Sequence, residues 1–133
     1  MASSTDAVRV LYAGLATGDI PAALAVLAPD VNWTEAAGFP YAGTYHGRDE
    51  VLEKVFARLG SEWDGFKAVP ESIIGEGDSA AAIGWYSGTY RATGKAFEAR
   101  YVHWFRVVDG LITTFEQVAD TAIVGRALSP AAQ

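Results

Sequence analysis

The sequence predicts an α+β domain: N-terminal helices held inside a strongly bent antiparallel sheet that wraps them as a cone and encloses a pocket. Three observations predict it. Apolar residues recur at helical spacing through the first half of the chain. Aromatic and β-branched residues then fill four successive segments, separated by glycine-containing turns. Within one of those segments Gly84 and Gly88 interrupt the strand, and glycine inside a strand marks a bend or bulge.

The elements follow in order. Val8, Leu11, Tyr12 and Leu15 recur at i, i+3, i+4 and i+7, one face of a helix. Ser4 or Thr5 can cap its start, and Gly18 ends it. Asp19 caps a second short helix that runs through Ala28, with Pro21 in its first turn. Pro29-Asp30 breaks it, and Val31 to Ala36 reads as a strand. Residues 37–46 are a loop rich in Gly, Pro and Tyr, placed to cover the cavity mouth. A third helix spans Arg48 to Leu59, with Asp49 and Glu50 in its first turn, Arg58 in its last and Gly60 beyond its end. Its apolar stripe is Val51, Leu52, Val55, Phe56 and Leu59. Strands over 66–76, 79–91, 96–108 and 111–119 form a meander joined by hairpin turns. A last helix runs from Asp120 to Leu128, with Asp120 as its cap.

Composition bounds the function. The 133 residues make one domain, 1–133, at ~100–200 residues per domain. Half are apolar, enough for a real core. A net charge of −6 argues against a nucleic-acid surface, which needs a basic patch. No apolar run approaches the ~20 residues of a membrane span, and Met1-Ala2-Ser3-Ser4-Thr5-Asp6 lacks the pattern of a signal peptide. The absence of cysteine removes disulfides and thiolate chemistry and makes the cytoplasm the default compartment. Two histidines and no cysteine make a dedicated metal site improbable. No cofactor motif is present: Gly43 and Gly47 are too sparse for a phosphate loop.

Strand period fixes the faces. Phe97, Ala99, Tyr101, His103, Phe105 and Val107 share an apolar face with one histidine and point inward; Glu98, Arg100, Val102, Trp104 and Arg106 point out. Thr113, Phe115, Gln117 and Ala119 are assigned inward, as are Ala82, Gly84, Tyr86 and Gly88, with Ile83 and Trp85 outward. In the first strand Trp33 and Glu35 face the interior. Glu35, Tyr86, His103 and Gln117 thus converge on an apolar interior, with Tyr12 joining from the first helix. A buried carboxylate and histidine are costly unless hydrogen-bonded or functional.

The order of elements and several residues resemble the nuclear transport factor two-like superfamily, in particular its SnoaL-like polyketide cyclase and ketosteroid isomerase branch. The matching residues are Gly18-Asp19-Ile20, Asp30-Val31-Asn32-Trp33, Gly43-Thr44-Tyr45-His46-Gly47, Asp109-Gly110-Leu111-Ile112 and Phe115-Glu116-Gln117 followed by Asp120-Thr121. The resemblance covers nearly the whole chain and is specific for the fold. It implies isomerase, cyclase or dehydratase chemistry on an apolar carbonyl compound, or non-catalytic binding of a hydrophobic ligand. Fold alone does not choose among these.

By this resemblance Glu35 stands where ketosteroid isomerases carry their carboxylate base. A rim glutamate is the alternative. His103 stands where they place a protonated carboxylic acid, and a neutral imidazole there would donate to an enolate oxygen. A structural histidine paired with Gln117 or a carbonyl is the alternative. Tyr12 resembles their tyrosine donor, while its place in the apolar stripe also gives it a packing role. Tyr86 and Gln117, with Trp33, Tyr101 and Phe115, would orient the substrate. His46 is expected to be exposed. Limonene epoxide hydrolases need an Arg and two Asp where this chain has Gly84, Tyr86 and Gln117, so that chemistry is disfavoured. The superfamily commonly dimerises through the outer sheet face, so a homodimer built over Trp85 and Trp104 is expected.

Overall fold

Ser3 and Asp6 form a capping box that starts α1 (Ser4–Thr17): Asp6 N–H donates to Ser3 Oγ at 3.3 Å, and Ser3 N–H to Asp6 Oδ2 at 2.9 Å. The cap lies one residue before the expected pair because an acid three residues on selects Ser3. Gly18 closes the helix in the left-handed conformation, φ 75°. The computed structural model describes residues 3–129; Met1, Ala2 and residues 130–133, which belong to the N-terminal reading and to the 1–133 domain, lie outside them.

Asp19 caps α2 (Ile20–Ala25) by accepting from Ala22 N–H at 3.2 Å. The helix stops short of Ala28. Ile112 N–H donates to Val26 O at 2.8 Å, and the Arg48 guanidinium donates twice to Leu27 O, at 2.8 and 2.6 Å. Those bonds hold the chain extended, so β1 (Leu27–Glu35) begins four residues before the expected Val31. Part of the loop predicted over 37–46 is a short strand, β2 (Gly43–His46), paired antiparallel with β1.

The third helix is composite. α3 (Gly47–Val51) passes into a π-helical turn (Leu52–Phe56) and then α4 (Ala57–Glu62). Gly60 lies inside it instead of ending it. Glu62 anchors the last turn, accepting from Tyr41 Oη at 2.7 Å and from Arg58 Nε at 3.0 Å. Then follow β3 (Trp63–Glu76), β4 (Ser79–Tyr90), β5 (Lys95–Val108), β6 (Leu111–Ala119) and α5 (Thr121–Leu128), the last capped by Asp120.

The six strands form one sheet in the order β2-β1-β6-β5-β4-β3. The meander is antiparallel as expected, but β1 and β6 pair in parallel. The chain reaches β6 only through helices and meander, the long crossover a parallel neighbour requires. α1 contacts β3, β4, β5 and β6, so the sheet curls around it.

The inward faces match the period-two assignment. Tyr86, Tyr101, His103, Phe105, Phe115, Gln117, Trp33 and Glu35 are buried, while Trp85 is exposed. A register shift at Arg106/Val107 turns Ile112 inward and leaves Thr113 half-buried, where simple alternation placed Thr113 inside. Full burial of Phe105, Ile112 and Phe115 contributes roughly 1.5–3 kcal/mol each.

Candidate functional site

α1, the π-turn and the concave sheet face enclose a cavity of about 790 Å³. Of the residues expected there, Tyr12, Trp33, Glu35, Tyr86, His103, Phe115 and Gln117 line it. Tyr101 does not. Its ring stacks on His103, centroids 4.1 Å apart, and its hydroxyl is tucked beneath Gly84. A Cβ at Gly84 would lie 2.7 Å from that oxygen and 2.1 Å from Val69 O. The glycine read as a bend is therefore what makes room for Tyr101 behind the wall.

Glu35 ends β1, two residues after Trp33 on the same face. The residue is 4% exposed, and its buried Oε2 has no hydrogen-bond partner. Burial pushes its pKa up to about 8, while the Trp33 indole pulls weakly the other way. Trp33 Nε1 also lacks a partner of good geometry. The indole stacks on Phe115, its cross-strand neighbour, with centroids 3.6 Å apart. The result is a flat apolar wall beside an acid with hydrogen-bonding capacity to spare.

Beside Glu35 runs a chain of hydrogen bonds. Ala36 N–H donates to Gln117 Oε1 at 2.9 Å, and Gln117 Nε2 donates to Tyr86 Oη at 2.8 Å. Tyr86 Oη bonds His103 Nε2, and His103 Nδ1 bonds Tyr12 Oη at 2.6 Å. Burial lowers the pKa of His103 to about 3, so the ring is neutral at physiological pH. Burial also raises both phenols, and for Tyr86 the nearby Glu35 charge adds to it. Both imidazole nitrogens are taken. The expectation that His103 itself donates to a ligand oxygen is thereby corrected: no ring N–H is free, and the groups left to face a ligand are the phenols. Gln117 likewise has both ends of its amide engaged, one on the backbone and one on Tyr86.

Sequence reasoning missed the wall opposite the sheet. Leu15, Ile20, Val55, Phe56 and Leu59 of the helices line it, and Trp63 and Phe66 at the start of β3 close the cavity beside them. The signal was present in the apolar stripe of the third helix. What hid it was the π-turn, which brings Val55 and Phe56 to the cavity together. Phe39 of the loop also lines the cavity, and Tyr41 behind it is fixed by bonds to Glu62 and Trp63. His46 is exposed and contacts Asn32 Oδ1 at 2.6 Å. Among the described residues, no helix is long and apolar enough to cross a membrane.

The sequence matches the SnoaL-like domain family over residues 8–115. An NTF2-like protein from Burkholderia thailandensis is 45% identical, aligned over 98% of this chain and all of that one, with a TM-score of 0.94. An NTF2-like protein of unknown function from Burkholderia pseudomallei is 30% identical over 97% of this chain and 99% of that one, TM-score 0.87. TerC, crystallised with polyporic acid, is 26% identical over 94% and 97% of the two chains, TM-score 0.84. No curated protein matches the sequence. The chain belongs to the SnoaL-like family, and its fold is that of the NTF2-like proteins.

Proposed function

We propose that this SnoaL-like protein is a cofactor-independent enzyme that moves a proton at the carbon next to the carbonyl of an apolar substrate. The observation that carries this reading is Glu35: a buried, unpaired carboxyl in an apolar cavity, facing hydrogen-bonded phenols. Glu35 takes the proton from carbon. The negative charge that develops on the carbonyl oxygen is met by a phenol of the Tyr12–His103–Tyr86 chain, with the neutral imidazole behind it. Trp33 and Phe115 hold a flat ring in place. Isomerisation, cyclisation and dehydration all share this enolisation step. The outer sheet face, with Trp85 exposed, is the proposed homodimer surface.

Deuterium exchange from heavy water into a panel of apolar ketones and enones tests the reading without knowledge of the product. Wild type is expected to exchange, and Glu35→Gln to be slower by about two to four orders of magnitude. A base titrating at about 8 makes the wild-type rate rise with pH and level off above that value. Binding without exchange, for every ketone that binds, overturns the reading. That outcome supports the alternative, a non-catalytic binder of apolar ligands. The co-crystal of TerC with polyporic acid gives this alternative its specific support, since a small ligand is named there beside a fold shared with this chain.

A further inference from the structure

Among the described residues three buried side-chain polar atoms have no hydrogen-bond partner: Glu35 Oε2, Trp33 Nε1 and Tyr101 Oη. Tyr101 does not line the cavity; Trp33 and Glu35 do. The indole nitrogen is a donor and the carboxyl oxygen an acceptor, and leaving either buried and unpaired is costly. The two residues stand two apart on one face of β1, so their Cα atoms are about 6.6 Å apart and their side chains rise side by side. The indole is held on two sides. Phe115 stacks on its face, centroids 3.6 Å apart, and Phe56 meets it at 5.4 Å with the ring planes at 89°. The glutamate stem has the rotamer freedom that the ring lacks, so the carboxyl is the partner that adjusts. Other donors nearby are committed. Ala36 N–H serves Gln117 Oε1, Gln117 Nε2 serves Tyr86, and Tyr45, across from Trp33 on β2, donates to Tyr41 O at 2.7 Å. Burial raises the proton affinity of Glu35, and the Trp33 side chain is the influence that pulls it back.

We propose that Trp33 is a positioning residue for the base: its fixed Nε1–H donates to the Glu35 carboxylate once Glu35 has lost its proton, and so holds that carboxylate in one orientation at the cavity wall. An indole N–H only donates, so it favours the carboxylate, which accepts at both oxygens, over the acid, which spends one oxygen on its own proton. One carboxylate oxygen takes the indole bond, and the other is left to take the proton from carbon. That use rests on the enolisation reading above; the hydrogen bond itself does not. The other titratable groups facing Glu35 come from β2, β4, β5 and α1: Tyr45, Tyr86, His103 and Tyr12. Burial raises the three phenols and pushes His103 down to about 3, so of these five groups only Glu35 changes charge near neutral pH. The other charged residues of the lining are Lys67 and Arg91, both exposed, and Arg91 pairs with Asp64 at 2.8 Å.

Proton–nitrogen correlation spectra of the nitrogen-15-labelled protein, recorded across pH, test it without any ligand. The chain has four tryptophans, and triple-resonance spectra of wild type assign the Trp33 indole among them. Its proton is expected to move downfield as pH rises through about 8, and to stay in place in Glu35→Gln. A Trp33 indole signal that does not move in wild type overturns the proposal, and so does one that moves equally in Glu35→Gln. Trp33→Phe keeps a ring against Phe115 and removes the N–H. In that variant the carbon-13-labelled Glu35 carboxyl is expected to titrate about one pH unit higher than in wild type. An unmoved midpoint in the folded variant overturns the role of Trp33. If Trp33→Phe does not fold, the wild-type indole titration decides by itself. The enolisation reading fails separately, by absence of exchange in wild type, and that leaves the indole result standing.

Discussion

Glu35 and His103 share one apolar lining, and burial moves their proton affinities in opposite directions. The Glu35 carboxyl rises from 4.5 to about 8, so between those values the folded state keeps a proton that the unfolded chain has lost. Stability therefore falls with rising pH across that window. The His103 imidazole drops from 6.5 to about 3, so between those values the unfolded chain binds a proton that the folded state refuses. Stability falls there as pH falls. Each slope is about 1.4 kcal/mol per pH unit. From 4.5 to 6.5 the two cancel, and their joint contribution is flat. Glu35→Gln removes one limb. Denaturant titrations should show wild type losing about 1.4 kcal/mol per pH unit relative to Glu35→Gln from pH 4.5 toward 8. A constant difference across that range would show that Glu35 ionises freely in the folded protein. Strand alternation was sufficient to place Glu35, Tyr86, His103 and Gln117 on one interior surface. It says which face a side chain leaves from, not which atoms it reaches. That His103 spends both nitrogens on phenols, and that Tyr101 turns under Gly84, depends on side-chain torsions and on a gap in a neighbouring strand.

Gly84 is where one missing side chain decides the form of an element. It pairs with Pro70 and Tyr101, and the β3 register shifts immediately beyond Pro70. A methyl group there would overlap the Val69 carbonyl, a backbone atom that cannot rotate away. β3 would have to lift from β4 or Tyr101 would have to leave its slot. Gly84→Ala is expected to destabilise by roughly 1–3 kcal/mol, read as a lower urea midpoint at unchanged slope. Wild-type stability in the variant would mean that the strands tolerate separation at this point. The meander and its turns were legible because aromatic segments and glycine turns are both local signals. The β1–β6 pairing was not, since it joins residues far apart through backbone bonds that carry no residue signature. The π-turn was hidden for a related reason: Val51, Leu52, Val55, Phe56 and Leu59 suit an ordinary helix equally well.

Across the whole molecule, the convex face of the sheet is more apolar than a free surface requires. Cross-strand register lines up Val69 with Trp85, and Ile83 with Val102 and Val118. Val69, Trp85 and Val118 are 56%, 44% and 62% exposed, while Ile83 and Val102 are half-buried. Arg100 lies over the Trp85 ring and pairs with Glu71, which covers part of the indole with a charged group. Among the described residues, Val69 and Val118 stay exposed. Large exposed apolar patches mark interaction sites, and a stable interface needs about 800 Å² from each partner. A twofold pairing of these faces would bury the same rows on both copies and leave both cavities, on the concave side, open. Light scattering after size exclusion is expected to give twice the 14.1 kDa chain mass for wild type. Trp85→Glu and Val118→Glu each place a charge within this apolar patch and are expected to give the single-chain mass. Neither residue touches the cavity, so ligand binding should survive in the resulting monomer. Wild type running at 14.1 kDa at every concentration would remove the dimer and leave this face to another partner.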